Sequence, residues 1–88
     1  MTQVIKTVAY FDKRYQKLPR KIKEKAKEKE NIFRENVFDF RLRTHKLHGK
    51  DRDSWAFWID YTYRIKFIFL NEGEILFLDV GTHDEVYQ

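Results

Sequence analysis

The sequence predicts an α+β fold, a two-helix hairpin packed on a small antiparallel sheet, and three observations carry that expectation. Apolar positions in the N-terminal part recur at helical spacing, the aromatic-rich C-terminal part alternates with period two, and the only proline, Pro19, falls between the two helical stretches. With 88 residues there is room for one domain, 1-88, and one modest core.

Gln3 to Lys6 reads as a short first strand, and Thr7 as the N-cap of a helix with Phe11, Tyr15 and Leu18 on its inner side. Pro19 then opens a second helix, where its missing amide proton costs little. Ile22, Ala26, Ile32 and Phe33 give that helix its apolar stripe, interrupted around Lys29 and Glu30, which predicts loose packing at mid-length. After Asn36 the period changes. Ser54 to Asp60, Tyr63 to Leu70 and Glu74 to Val80 read as three consecutive antiparallel strands, the last two joined through Asn71, Glu72 and Gly73. The connection at Asp60 to Thr62 is also tight, and the first strand is left to join an edge. In the central strand Tyr63, Ile65, Phe67 and Phe69 form an apolar face that covers the helices, whereas Arg64 and Lys66 share a face expected to be half open to solvent. Trp55 and Trp58 point to opposite sides of their strand, and Trp58 is the better candidate for an exposed contact.

Without cysteine, neither a disulfide framework nor a thiolate metal site supplements the core, so fifteen aromatic residues must supply the apolar packing. The uncharged runs are far shorter than the ~20 residues of a membrane span, and the N-terminus lacks the apolar segment of a signal peptide. A cytoplasmic location without membrane contact is expected. The net charge of +4 is unevenly spread. Lys13 to Glu30 holds nine basic and three acidic residues, Arg41 to Arg52 five and one, and Leu70 to Gln88 five acids with no Lys or Arg. Such polarity suits a surface laid on phosphates, although a lysine-rich helix can also be a solvated face. The three glycines form no nucleotide-binding loop, and Ser54, the only serine, lies in no nucleophile motif.

In order, Leu18-Pro19 between two helices, His45-Lys46-Leu47-His48-Gly49, Tyr63-Arg64-Ile65 and Val80-Gly81-Thr82-His83-Asp84-Glu85-Val86-Tyr87 resemble the RelE/ParE superfamily of toxins from toxin-antitoxin pairs. The likeness spans nearly the whole chain, and the His-x-Leu-x-Gly and Gly-Thr-His-x-x-x-aromatic pieces look most like the YafQ branch. It implies a β-α-α-β-β-β order, cleavage of messenger RNA in the ribosomal A site, and neutralisation by a cognate antitoxin. Between Asp51 and Thr62 the chain departs from that branch, which carries a further histidine where Phe57 and Trp58 stand here. That departure moves weight onto lysine and arginine, as in RelE itself.

Cutting RNA without metal or cofactor needs a proton acceptor, a proton donor and cations for the developing charge, because a 2′-hydroxyl attacks the adjacent phosphate and a 5′-oxygen leaves. Histidine suits the proton work. His83 matches the family's C-terminal histidine and is assigned as general acid, or base in the reversed pose; the competing reading is a surface turn. His45 is the second acid/base or phosphate-contacting group, and His48 adds positive potential. Arg64 looks like the arginine that RelE-like enzymes set beneath the scissile phosphate, where a planar fork of donors binds two oxygens; a strand pairing with Asp60 or Asp79 is the alternative. Tyr87 either stacks on a base or anchors the C-terminus in the core. Lys46, Lys50, Arg52, Lys66 and Trp58 complete the expected RNA surface, which would also meet ribosomal RNA. A zinc site of His45, His48 and His83 is disfavoured, since two of the three lie in an extended loop with no preorganised support. A ParE-like inhibitor of DNA gyrase would keep the fold without gathering these residues, and a non-catalytic antitoxin-binding relic would keep only the binding face.

Overall fold

The structure, a computed structural model, describes residues 3–49 and 53–87. The elements run β1 (Val4–Thr7), α1 (Ala9–Gln16), α2 (Arg20–Glu35), a 3-10 turn (Phe40–Leu42), β2 (His45–Lys46), β3 (Trp55–Trp58), β4 (Tyr63–Phe69), β5 (Glu74–Thr82) and α3 (His83–Val86). The strands form one sheet in the order β1-β5-β4-β3-β2. β1 lies parallel to β5 at the edge, and the other neighbours are antiparallel. Among the described residues no helix is long and apolar enough to cross a membrane.

Parity along the strands decides where the core sits. Phe57 of β3, Ile65 and Phe67 of β4, and Ile75 and Phe77 of β5 are fully buried on the helix-facing side. Phe33 of α2 is the centre of this group, with ring centroids 4.6 Å from Phe57, 5.0 Å from Phe67 and 5.5 Å from Phe77. Aromatic pairs at such distances add to the stabilisation of area burial alone. Ile22 and Ala26 continue the buried stripe of α2, and Phe11 of α1 meets Phe77 at 5.3 Å. Lys29 and Glu30 are half-buried where the stripe is interrupted, and burial pushes the Glu30 carboxyl above its usual range.

Two connections follow from local chemistry. Asp60 Oδ1 accepts from the amides of Thr62 (2.9 Å) and Tyr63 (2.8 Å), an Asx turn that lets β3 reverse into β4. Gly73, at φ 76°, takes the left-handed position in the β4–β5 hairpin, where the amide of Glu74 bonds the carbonyl of Asn71.

Several expectations are corrected. Thr7 belongs to β1 and caps nothing; Val8 is the N-cap of α1 and offers no side-chain bond, so α1 is held by the burial of Phe11 and by its contacts with β5. Leu18 lies beyond α1 in the link to α2, although it is buried. The segment at His45 is a short strand rather than an extended loop, because His45 pairs with Ala56 and Lys46 with Trp55, and Leu47 bonds the carbonyl of Ser54. The apolar face of β4 does not run unbroken: the register shifts between Lys66 and Phe67, and Phe69 is exposed. Finally, Arg64 is buried, at 5% exposure, while Lys66 beside it is half-buried. The face they share is less open at Arg64 than expected, because its guanidinium is tied to carbonyls of the Asp60–Tyr63 turn.

Candidate functional site

Arg43, His45, Trp58, Arg64, His83 and Tyr87 line one open cleft of about 300 Å³ at the end of the sheet where β3 turns into β4. Trp58 and Arg64 are register partners on adjacent strands, which sets the Arg64 guanidinium 4.1 Å from the centre of the indole ring. Arg43 follows the 3-10 turn in the left-handed conformation, φ 51°, and its guanidinium lies 4.7 Å from the same ring. Two cations on one indole each gain about 0.5 to 2 kcal/mol, the larger figure where water is excluded.

Arg64 is fixed from the turn side. Its Nη1 donates to the carbonyls of Asp60 (2.8 Å), Tyr61 (2.7 Å) and Tyr63 (3.3 Å). It therefore does not pair with a carboxylate of Asp60 or Asp79, and Asp79 is engaged by Arg14 instead. The Arg64 Nε is buried with no hydrogen-bond partner among the described residues. A buried donor left unpaired costs about 1 to 3 kcal/mol, a reason to look for a ligand or water that satisfies it.

The two outer histidines are linked through Tyr87. His45 Nδ1 lies 2.8 Å from the carbonyl oxygen of Arg43, which can only accept, so Nδ1 carries a proton. With neutral His45, Nε2 is then the acceptor for the Tyr87 hydroxyl at 2.7 Å. On the other side the His83 ring centroid is 4.3 Å from that of Tyr87. Burial pushes the Tyr87 phenol above its ordinary pKa, and the positive charge of Arg64 opposes that rise. Tyr87 is thus half-buried between two imidazoles.

α3 gives His83 and Tyr87 their common direction, since residues four apart share a helix face. Thr82 and Glu85 form a capping box: the Thr82 hydroxyl accepts from the Glu85 amide, and the Glu85 carboxylate accepts from the Thr82 amide at 2.8 Å. The bond from the Thr82 amide holds the Glu85 carboxyl below its usual range. From behind, Arg14 of α1 joins α3 to the sheet, with Nε 3.1 Å from Asp79 Oδ1 and Nη2 3.5 Å from Glu85 Oε1. A Cβ on Gly81 would collide with Arg14 Nη2 and come within 2.6 Å of Glu85 Oε1, so a larger residue there would push both side-chain ends of this network aside.

Of the predicted residues, the cleft gathers His45, Trp58, Arg64, His83 and Tyr87. Lys46, His48 and Lys66 do not line it: Lys46 and His48 are exposed beside it, and Lys66 lies further along β4. Lys50 and Arg52 lie outside the described residues. Arg43 is the participant that sequence reasoning missed, because its placement depends on a left-handed backbone that no local motif announces. A second cleft of about 490 Å³ adjoins the first, shares Trp58, Arg64 and His83, and adds Tyr61, Thr62, Thr82 and Asp84. Among the described residues no three His, Asp or Glu side chains are grouped to hold a metal ion.

Neither a protein-family model nor a curated protein matches the sequence. Solved structures do. YafQ from E. coli strain BL21(DE3) superposes with a TM-score of 0.80 at 13% identity, covering 98% of this chain and 99% of that one. YafQ in the E. coli DinJ-YafQ toxin-antitoxin complex gives 0.78 at 14% identity over 100% of both chains. The archaeal RelE-RelB complex from Pyrococcus horikoshii OT3 gives 0.72 at 20% identity, covering 93% and 96%. The α+β architecture of this chain is therefore the fold shared by the YafQ and RelE toxins.

Proposed function

We propose that the chain is the toxin of a toxin-antitoxin pair and that its cleft cuts messenger RNA in the ribosomal A site by metal-free attack of a 2′-hydroxyl. The observation that carries this reading is the convergence of His45, Tyr87, His83 and Arg64 on one cleft. The reaction forms a bond from the 2′-oxygen to phosphorus and breaks the bond from phosphorus to the 5′-oxygen, leaving a 2′,3′-cyclic phosphate and a 5′-hydroxyl. The Tyr87 oxygen takes the 2′-hydroxyl proton as its own proton passes to His45 Nε2, 2.7 Å away. His83, the more exposed imidazole, supplies the proton to the departing 5′-oxygen. Arg64 and Arg43 hold the phosphate through the guanidinium groups that line the cleft. Lys46 and Lys66 extend positive charge away from the cleft, where messenger and ribosomal RNA backbones would lie, and His48, Lys50 and Arg52 are assigned to the same RNA surface from the sequence.

Several of the structural neighbours are complexes, among them DinJ with YafQ and RelB with RelE, which supports an antitoxin partner for this chain as well. A basic cleft flanked by exposed rings suits an acidic segment that folds on binding.

A cell-free translation reaction with ribosomes tests the reading, run beside a gyrase supercoiling assay. Messenger-RNA cuts are expected. His83→Ala should lower cutting by roughly 10²- to 10⁴-fold. Arg64→Lys should lower it too, because an ammonium keeps the charge and loses the fork; circular dichroism confirms that the variant is folded. Supercoiling inhibition without cuts would instead identify a ParE-like gyrase toxin, and neither activity would leave an antitoxin-binding relic.

A further inference from the structure

We propose that the second cleft is a nucleobase subsite that favours guanine, with Tyr61 as its stacking platform and Asp84 as the group that reads the base edge. The proposal rests on the RNA-cleaving reading for the class of its ligand. Its volume of about 490 Å³ falls within the range of roughly 300 to 1,000 Å³ typical of small-ligand sites. Its shared wall of Trp58, Arg64 and His83 puts it next to the place where the phosphate would lie.

Tyr61 is 82% exposed, yet its backbone is immobilised. Its carbonyl accepts from Arg64 Nη1 at 2.7 Å, and the Asx turn at Asp60 fixes the amides that follow. Its ring meets Trp58 in a T-shaped contact, 5.8 Å between centroids and 84° between planes, and stays largely exposed. An exposed ring on a rigid turn binds a base at little entropic cost, and every base has a face to stack.

Asp84 supplies the selectivity. Among the described residues it is the one acid lining either cleft, its side chain is 94% exposed, and Oδ1 lies 3.2 Å from His83 Nδ1. A carboxylate repels phosphate, so in this cleft, beside Arg64 and His83, it suits a ligand group that donates. It has acceptors only. Guanine offers two adjacent donors, N1–H and the N2 amino group, on one edge. Adenine and cytosine place a ring acceptor beside their amino groups, and uracil sets its single N–H between two carbonyls. Among the four bases only guanine presents a paired-donor edge to a carboxylate.

The test is titration of the isolated protein with the four nucleoside 5′-monophosphates, following backbone amide resonances of Tyr61, Thr62 and Thr82 to Asp84. Guanosine monophosphate is expected to shift these amides and to bind several-fold tighter than the other three. Tyr61→Ala should weaken all four by roughly five- to hundredfold, and Asp84→Asn should abolish the guanine preference while adenosine monophosphate binds no worse. Both side chains are exposed, so neither change should disturb the fold. Equal affinity for the four nucleotides, no shift at these amides up to millimolar ligand, or unchanged binding in Tyr61→Ala would overturn the subsite; an antitoxin that shifts the same amides while nucleotides do not would reassign the ring to protein contact. Because no cutting is measured, guanine-selective binding without messenger-RNA cleavage would sink the nuclease reading alone, and cleavage without selective binding would sink the subsite alone.

Discussion

Trp55 and Trp58 stand three residues apart on the same strand and have opposite fates. Trp58 pairs in register with Arg64 and lies under two guanidinium groups at the cleft. Trp55 pairs with Phe67 and packs edge-on against Phe38 (5.6 Å) and Phe69 (5.5 Å) at the margin of the core. An odd separation along a strand puts two side chains on opposite faces, so one residue type serves a charged site and an apolar margin within four positions. The neighbour across the ladder, rather than the tryptophan itself, sets the role.

The largest break in this comparison should come from removing the apolar side altogether. Phe33→Ala is expected to cost roughly 3 to 5 kcal/mol in urea unfolding, since it empties the position where rings from three strands meet. A loss below about 1 kcal/mol would mean that the core is not organised around Phe33. The tryptophans come next. Trp58→Leu should lower messenger-RNA cutting at least about tenfold with a loss of ~1 to 2 kcal/mol, because both arginines lose their ring. Trp55→Leu should cost ~1 kcal/mol of stability and leave cutting near the wild-type rate. Equal effects of the two on cutting would erase the distinction between the faces.

Much of this division was legible in the sequence, for reasons that particular residues show. Strand parity separated Trp55 from Trp58 and Arg64 from Ile65, and the 3.6-residue stripe found Ile22, Ala26 and Phe33, because burial on one face imposes those periods directly. The Asp60–Thr62 reversal was legible as a short gap between two strand patterns, though not the Asp60 bonds that hold it. The failures are of another kind. Arg43 reaches Trp58 through a left-handed backbone outside any motif, and the burial of Arg64 depends on carbonyls of a turn that no alternation rule locates. The strand at His45 forms only because Trp55 and Ala56 offer a free ladder edge, a tertiary circumstance. One omission was avoidable: Thr82-His83-Asp84-Glu85 carries the T-x-x-E signature of a capping box, and reading it would have placed His83 and Tyr87 on one face of α3.

A smaller effect sharpens how that helix is aimed. Arg14 touches none of the cleft, yet it bridges Asp79, Glu85 and the carbonyl of Val80. The pair with Asp79 is largely shielded and the pair with Glu85 half open, so Arg14→Gln should cost ~1 to 2 kcal/mol, between exposed and buried ion pairs. If Arg14 also positions α3, the His45 imidazole nitrogens should change their NMR shifts, because the bond from Tyr87 depends on where the helix ends. Gly81→Ala, which collides with the same Arg14 and Glu85 groups, should reproduce that spectrum. Unaltered His45 resonances in both variants would reduce Arg14 to a purely structural tie.

The smallest expected effect tests the segment that touches both tryptophans. Asp39 accepts from the amide of Arg41 and pairs with its guanidinium at 2.9 and 3.0 Å, capping the 3-10 turn between Phe38, which packs on Trp55, and Arg43, which packs on Trp58. The Arg41 side-chain bonds, followed by its backbone bond, lower the Asp39 carboxyl from 3.8 to about 2. A depressed carboxyl pKa stabilises the folded state above the unfolded value and loses that contribution as pH falls through the folded one. Asp39→Asn should therefore melt below the wild type at pH 5, with the gap closing between 3.8 and about 2. A gap that stays constant across that interval would show that the charge of Asp39 does not hold the turn. Fluorescence from both tryptophans should change together in the variant, since one loosened turn releases Phe38 from Trp55 and Arg43 from Trp58.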